Sequence, residues 1–144
     1  MKQHKLVGWW LILGVVMLMI QVLLGGITRL TGSGLSITEW KPLIGALPPM
    51  NEEAWLILFE KYKQIPQFKY INQDFTLSDF KFIFFWEWLH RNWGRFIGVV
   101  FAIPFMYFLY KRMITNDMIP KLIGLFLLGM AQGLIGWIMV ASGL

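Results

Sequence analysis

Near the start of a long apolar run the chain reads Glu87-Trp88-Leu89-His90-Arg91-Asn92-Trp93-Gly94-Arg95. A carboxylate, an imidazole and two guanidinium groups thus stand beside lipid, where ionisable groups are costly and usually mark a functional site. On a helix Glu87 and His90, three apart, share one face, and Arg91 and Arg95 follow at the next turns. The only other histidine, His4, lies in the charged N-terminal tail. Chemistry is therefore expected to centre on His90. A buried imidazole is a good axial ligand for haem iron, and nearby arginines suit carboxylates through paired hydrogen bonds. Glu87 offers an acid, a base or a stabiliser of positive charge. It is equally suited to be the i, i+4 ion-pair partner of Arg91.

His90, Gly94 and Gly98 are spaced by fours, so the imidazole stands over a strip without side chains. Such a strip either lets membrane helices approach closely or lets a flat ligand lie against the helix, held by His90. Gly129-Met-Ala-Gln-Gly133 has the same small-residue spacing and reads as helix packing. Arg29 and Glu39 flank a glycine-rich segment, as a solvated pair or as part of a site. The absence of cysteine excludes disulfides, thiolate catalysis, Cys-ligated zinc and iron–sulfur clusters in this chain. With two histidines, a His-rich metal site is not expected either.

The elements that must position these groups are helices in a membrane. The 144 residues are 57% apolar, and the apolar residues lie in runs at Leu6 to Leu24, Phe96 to Tyr110 and Leu122 to Leu144. A hydrocarbon core about 30 Å thick needs roughly 20 such residues. The second run falls short and must borrow Arg91 to Arg95, which brings His90 to the membrane boundary. The expected fold is an all-α integral membrane protein with spans at about 6–25, 88–110 and 120–143, an outer loop at about 26–80 and an inner loop at about 111–119. The first span reads as a retained helix, because no small-residue cleavage site follows it.

Within the outer loop, Gly25 to Gly34 should leave the first helix abruptly and form tight turns. Pro42, Pro48 and Pro49 should keep the next stretch extended. Asn51-Glu52-Glu53 resembles a helix start. Trp55, Leu58, Phe59 and Tyr62 then form an apolar stripe, ended by Pro66, which either lies in the membrane interface or packs on the rest of the outer segment. Thr76-Leu-Ser-Asp79 starts the helix that carries His90 about 16 Å further on. Trp86, Trp88 and Trp93 fall where an interfacial aromatic belt is expected.

The net charge of +5 matters less than its placement. Lys2, Lys5, Lys111, Arg112 and Lys121 flank the spans on one side. Residues 29–81 hold six basic and six acidic residues and balance. The positive-inside rule puts the N-terminus inside and the long loop outside. No basic cluster is interleaved with exposed aromatics, so nucleic acid is not an expected partner.

Gly25-Gly-Ile-Thr-Arg-Leu-Thr-Gly-Ser-Gly-Leu-Ser-Ile-Thr-Glu-Trp-Lys-Pro42, followed by Gly45 to Pro49, resembles the first outer loop of haem A synthases. Glu87-Trp-Leu-His-Arg-Asn-Trp-Gly-Arg-Phe-Ile-Gly98 resembles that family's Glu-x-x-His-Arg…Gly-Arg motif, and Phe59 to Pro66, running into Phe80-Lys-Phe-Ile-Phe, matches the connecting stretch. The resemblance spans nearly the whole chain. It implies an enzyme of the bacterial plasma membrane or mitochondrial inner membrane that oxidises a ring methyl of haem O to the formyl of haem A for cytochrome oxidase. Such proteins have two four-helix halves, the N-terminal one taking the substrate and the C-terminal one holding haem b. Carried onto this chain, the resemblance makes His90 an axial ligand of the haem iron and Glu87 the catalytic carboxylate. Arg91, Arg95 and Arg29 become candidates for holding propionates or orienting Glu87.

The resemblance also implies partners: haem O synthase and oxidase assembly factors. The chain departs from the pattern in lacking the loop cysteine pair of some relatives and in having three spans. It is therefore expected to be an N-terminal portion, inactive alone, its missing helices supplied by the rest of the protein or by a homo-oligomer. Two other classes remain: a non-catalytic haem-binding subunit, and an assembly subunit without cofactor.

Overall fold

In the computed structural model the described residues are 2–39 and 46–142, with side chains from Lys5 onward. The expectations for Pro42, Gly45, the side chain of His4 and the last residue, Leu144, lie outside them. The helices are α1 (Lys2–Leu30), α2 (Glu52–Tyr62), α3 (Pro66–Tyr70), α4 (Leu77–Tyr110) and α5 (Ile119–Ser142). No strand occurs among the described residues. Helices α1, α4 and α5 are each long and apolar enough to cross a membrane.

Local chemistry explains most helix starts. Asn51 caps α2 by accepting the Ala54 amide at 2.8 Å, with Glu52 and Glu53 in the first turn. Thr76 and Asp79 form a capping box at the start of α4. Its 34 residues extend about 50 Å, well beyond the 30 Å hydrocarbon core. The excess carries the outer segment. Phe59 and Tyr62 of α2 pack on Phe80, Ile83 and Phe84 of α4, with Trp55 edge-on to Phe84 at 4.9 Å. The apolar stripe of α2 is thus the underside of an outer cap seated on α4. Asn72 completes the cap by donating to the Tyr62 hydroxyl at 2.8 Å.

Two expectations about helix ends change. Gly25 and Gly26 do not end α1, which runs on to Leu30. The turn comes at Gly32, whose φ of +63° is the conformation that favours glycine. Thr28 keeps the helix wound past the glycines by bonding back to the Leu24 carbonyl at 2.8 Å. Pro66 does not end α2, which stops at Tyr62; it stands instead at the first turn of α3, where its missing N–H costs nothing.

Helices α1 and α4 run antiparallel and closely packed. Two tryptophans stitch them: Trp10 donates to the Val100 carbonyl and Trp93 to the Met17 carbonyl, each at 2.9 Å. At the end near the start of α1, Val7, Trp10, Phe108, Met113, Ile114 and Leu122 form a second core. Helix α5 joins there, with Phe126 stacked on Phe101 at 5.9 Å. Further along, a side chain added at Gly129 or Gly133 would meet nothing within 4 Å. The small-residue pattern of α5 therefore packs on no described element.

Candidate functional site

Glu87 is the most buried charge of the described chain, at 4% exposure. Its Oε2 accepts the Ser36 hydroxyl at 2.6 Å and the Ile37 amide at 2.8 Å. Its Oε1 accepts from Arg91 one turn on. Arg91 in turn donates to the Ile37 carbonyl at 3.0 Å and the Glu39 carbonyl at 3.4 Å. The ion pair expected from the i, i+4 spacing is therefore present, and it also clamps residues 36–39 of the outer loop onto α4. Leu35 adopts a left-handed φ of +70°, costly for a side-chain-bearing residue, immediately before Ser36.

A second fastening lies beside the first. Trp88 and Asn92 both donate to the Ala46 carbonyl, at 2.9 and 2.8 Å. Arg95 donates to the Asn92 side-chain oxygen at 2.7 Å. The segment joining α1 to α2 is thus a strap, fastened to α4 at Ser36, Ile37 and Glu39 and again at Ala46. Sequence reasoning missed Ser36, Asn92 and the Ala46 carbonyl. Ser36 lies within the glycine-rich motif, but its role depends on a turn that brings it to a residue 51 positions away.

His90 points into the seam with α1. A Cβ placed on Gly25 would stand 3.2 Å from His90 Nε2, so glycine is what lets the imidazole fit between the helices. Gln21, one turn inward, lies over Gly94 in the same manner, 3.4 Å from a Cβ built there. Gly94 is thus a helix-packing residue, as one of the two sequence readings held. Gly98 meets nothing within 4 Å. Thr28 closes the outward layer, its hydroxyl 3.4 Å from the Trp86 carbonyl.

The structure brings Glu87 and Arg91 together and places Arg95 one turn inward, joined to Asn92. It does not draw Arg29 into the cluster. Arg29 is exposed at the end of α1, its guanidinium without a hydrogen-bond or ion-pair partner among the described residues. Glu39 pairs with Lys61 of α2. Among the described residues no three His, Cys, Asp or Glu side chains gather to hold a bare metal ion. A group that brings most of its own ligands, as a porphyrin does, needs only one imidazole. His90 fits that need, since its ring makes no hydrogen bond with the described residues. As placed, Nε2 faces Gly25, so ligation at that atom requires the ring to turn out of the seam.

The sequence profile of COX15-CtaA, described as cytochrome oxidase assembly protein, matches residues 8–144. Curated relatives named Heme A synthase include those of Rhodospirillum centenum, 54% identical over 97% of this chain, and Parvibaculum lavamentivorans, 52% identical over 98%. That of Nitrosomonas eutropha is 49% identical over 99% of the chain. The chain spans 37%, 41% and 40% of the length of these three relatives. No solved structure matches it.

Proposed function

Because the chain belongs to the COX15-CtaA family of cytochrome oxidase assembly proteins, we propose that it takes the substrate haem in haem A synthesis. The reaction is oxidation of a ring methyl of haem O to the formyl of haem A. The observation that carries this reading is the 49–54% identity to proteins named Heme A synthase over nearly the whole chain. The change adds one oxygen and removes four electrons, which an external acceptor must take up. The haem ring and its oxidant supply that redox chemistry, while the protein supplies position and field.

His90 ligates the iron of the substrate, which fits an imidazole with no other bond to make. Glu87 supplies a fixed negative charge less than one turn outward of His90, suited to steadying positive charge at the reacting methyl. Ser36, Ile37 and Arg91 hold that carboxylate in place. Arg91 thus orients Glu87, and Arg29 is a cation free to meet a propionate, with Arg95 a second candidate. The crossings run at about 6–25, 88–110 and 120–143. The basic residues put the N-terminus on the inner side of a bacterial plasma membrane or mitochondrial inner membrane. Haem O synthase would supply the substrate and oxidase assembly factors would receive the product.

The test is the reduced-minus-oxidised absorption spectrum of the chain purified in detergent after expression with haem O. The expected result is a haem spectrum in the wild type that His90→Ala abolishes. A colourless wild type, or a spectrum unchanged by His90→Ala, overturns the assignment of His90. If Glu87→Gln keeps the haem spectrum yet loses haem A formation in the full-length enzyme, while Ser36→Ala, which loosens the same clamp, retains it, the carboxylate is catalytic. Full retention of haem A formation would favour the non-catalytic haem-binding reading.

A further inference from the structure

Three layers stack along the seam between α1 and α4: Gln21 on Gly94, Gly25 on His90, and Thr28 on Trp86. The last of these contacts is to the Trp86 main-chain carbonyl, and the three layers include three polar side-chain groups without a hydrogen bond among the described residues. Gln21 Oε1 and Trp86 Nε1 are the only buried side-chain polar atoms without a partner among the described residues, and the imidazole of His90 lies between them. Trp86, His90 and Gly94 follow one another by fours on α4, about 12 Å from first to last. Buried polar atoms are nearly always paired, most of all where no water is at hand. Two orphans flanking an unbonded imidazole therefore call for an occupant.

The two orphans are chemically opposite. Gln21 Oε1 is an acceptor set one turn deeper in the membrane than His90. Trp86 Nε1 is a donor set one turn further out, in the layer beside Arg29. We propose that they read the two ends of a tetrapyrrole: Gln21 accepts the hydroxyl of a hydroxyalkyl substituent, and Trp86 donates to a carboxylate at the opposite edge. The inference rests on the haem O reading above and adds an orientation to it, with the carboxylates outward and the apolar tail inward. Arg29, exposed at the outer end of α1, adds charge on the carboxylate side. Gln21 is also the one polar interruption of the run from Leu6 to Leu24. Both orphan atoms are buried, so they meet the ligand as their side chains turn outward. The same motion takes His90 Nε2 away from Gly25.

The experiment titrates the purified chain with three ligands and follows the Soret band. They are haem O, haem B (which carries a vinyl in place of the hydroxyalkyl group) and the dimethyl ester of haem O. Gln21→Met should erase about tenfold of the preference for haem O over haem B, the worth of one hydrogen bond of 1.4 kcal/mol. Trp86→Phe should erase a similar preference for the free acid over the ester. Each variant should keep the discrimination that the other loses, which also shows that it is folded. The proposal is overturned if either variant weakens all three ligands equally, or if both preferences survive. If the wild type binds no haem, this inference falls together with the haem reading. If the wild type binds and His90→Ala does not, the haem reading stands whatever the seam variants do.

Discussion

Replacing Glu87 by glutamine keeps the outline of the side chain and removes its charge from beside the Arg91 guanidinium. Breaking a buried pair in this way costs roughly 3–5 kcal/mol, far more than a surface pair is worth. The expected result is a large fall in the melting temperature of the detergent-solubilised chain and faster proteolysis of residues 36–39. Ser36→Ala removes one charge-assisted bond of the same carboxylate, and a smaller loss of about 1–3 kcal/mol is expected. If Ser36→Ala matches the wild type in both assays, the clamp is not holding the strap. At this scale the types of the site residues were legible: Glu87, His90 and Arg91 announced themselves as charges in an apolar context. Their partners were not, because Ser36 and Ala46 reach α4 only through turns, and a hydroxyl or a backbone carbonyl leaves no mark in composition.

At the scale of the elements, caps were readable because they are local. Asn51 and the Thr76–Asp79 pair satisfy amides three residues away, and both stand where the sequence placed them. Asn51→Ala is expected to cost α2 about 1 kcal/mol, seen as faster hydrogen exchange across Glu52–Tyr62 with little change in α4. The end of α1 was misread because glycine pairs usually stop helices, while here the close approach of His90 and the Thr28 back-bond favour continuing. The cap also carries a pH response. Burial raises the pKa of the Tyr62 phenol above its usual 10.0, more than the Asn72 bond lowers it. The unfolded chain then releases the phenolic proton first, so the Tyr62 contribution to cap stability is constant below pH 10.0 and falls above it. Tyr62→Phe should flatten that alkaline decline in a pH series of cap proteolysis; an unchanged slope would assign it to another group.

On the scale of the whole molecule, the periodic apolar runs predicted the helices that can cross a membrane, and the charges carry the proposal for their direction. Val7, Phe108 and Leu122 meet in one core, so the basic residues near the start of α1 and between α4 and α5 share one end. The chain has no cysteine, which makes a direct check simple. Tyr70→Cys, on the outer segment, should react with a membrane-impermeant maleimide added outside sealed spheroplasts. Arg112→Cys, at the turn after α4, should react only after the membrane is opened. The reverse pattern would invert the topology. What periodicity cannot show is which faces meet. The seam depends on glycines opposite large side chains, and α5 is equally apolar on the side that packs and the side that does not.

The strap and its clamp are far apart along the chain, and synthesis is sequential. Ser36 leaves the ribosome 51 residues ahead of Glu87. At about 5–20 residues per second that is a wait of several seconds. During that interval α1 is already made while the polar groups of the strap have no carboxylate or guanidinium to bind, so the outer loop stays open until α4 arrives. Closure is thus timed by the arrival of one helix, and a nascent chain stalled between the two segments would expose the strap to proteases that never cut the finished protein.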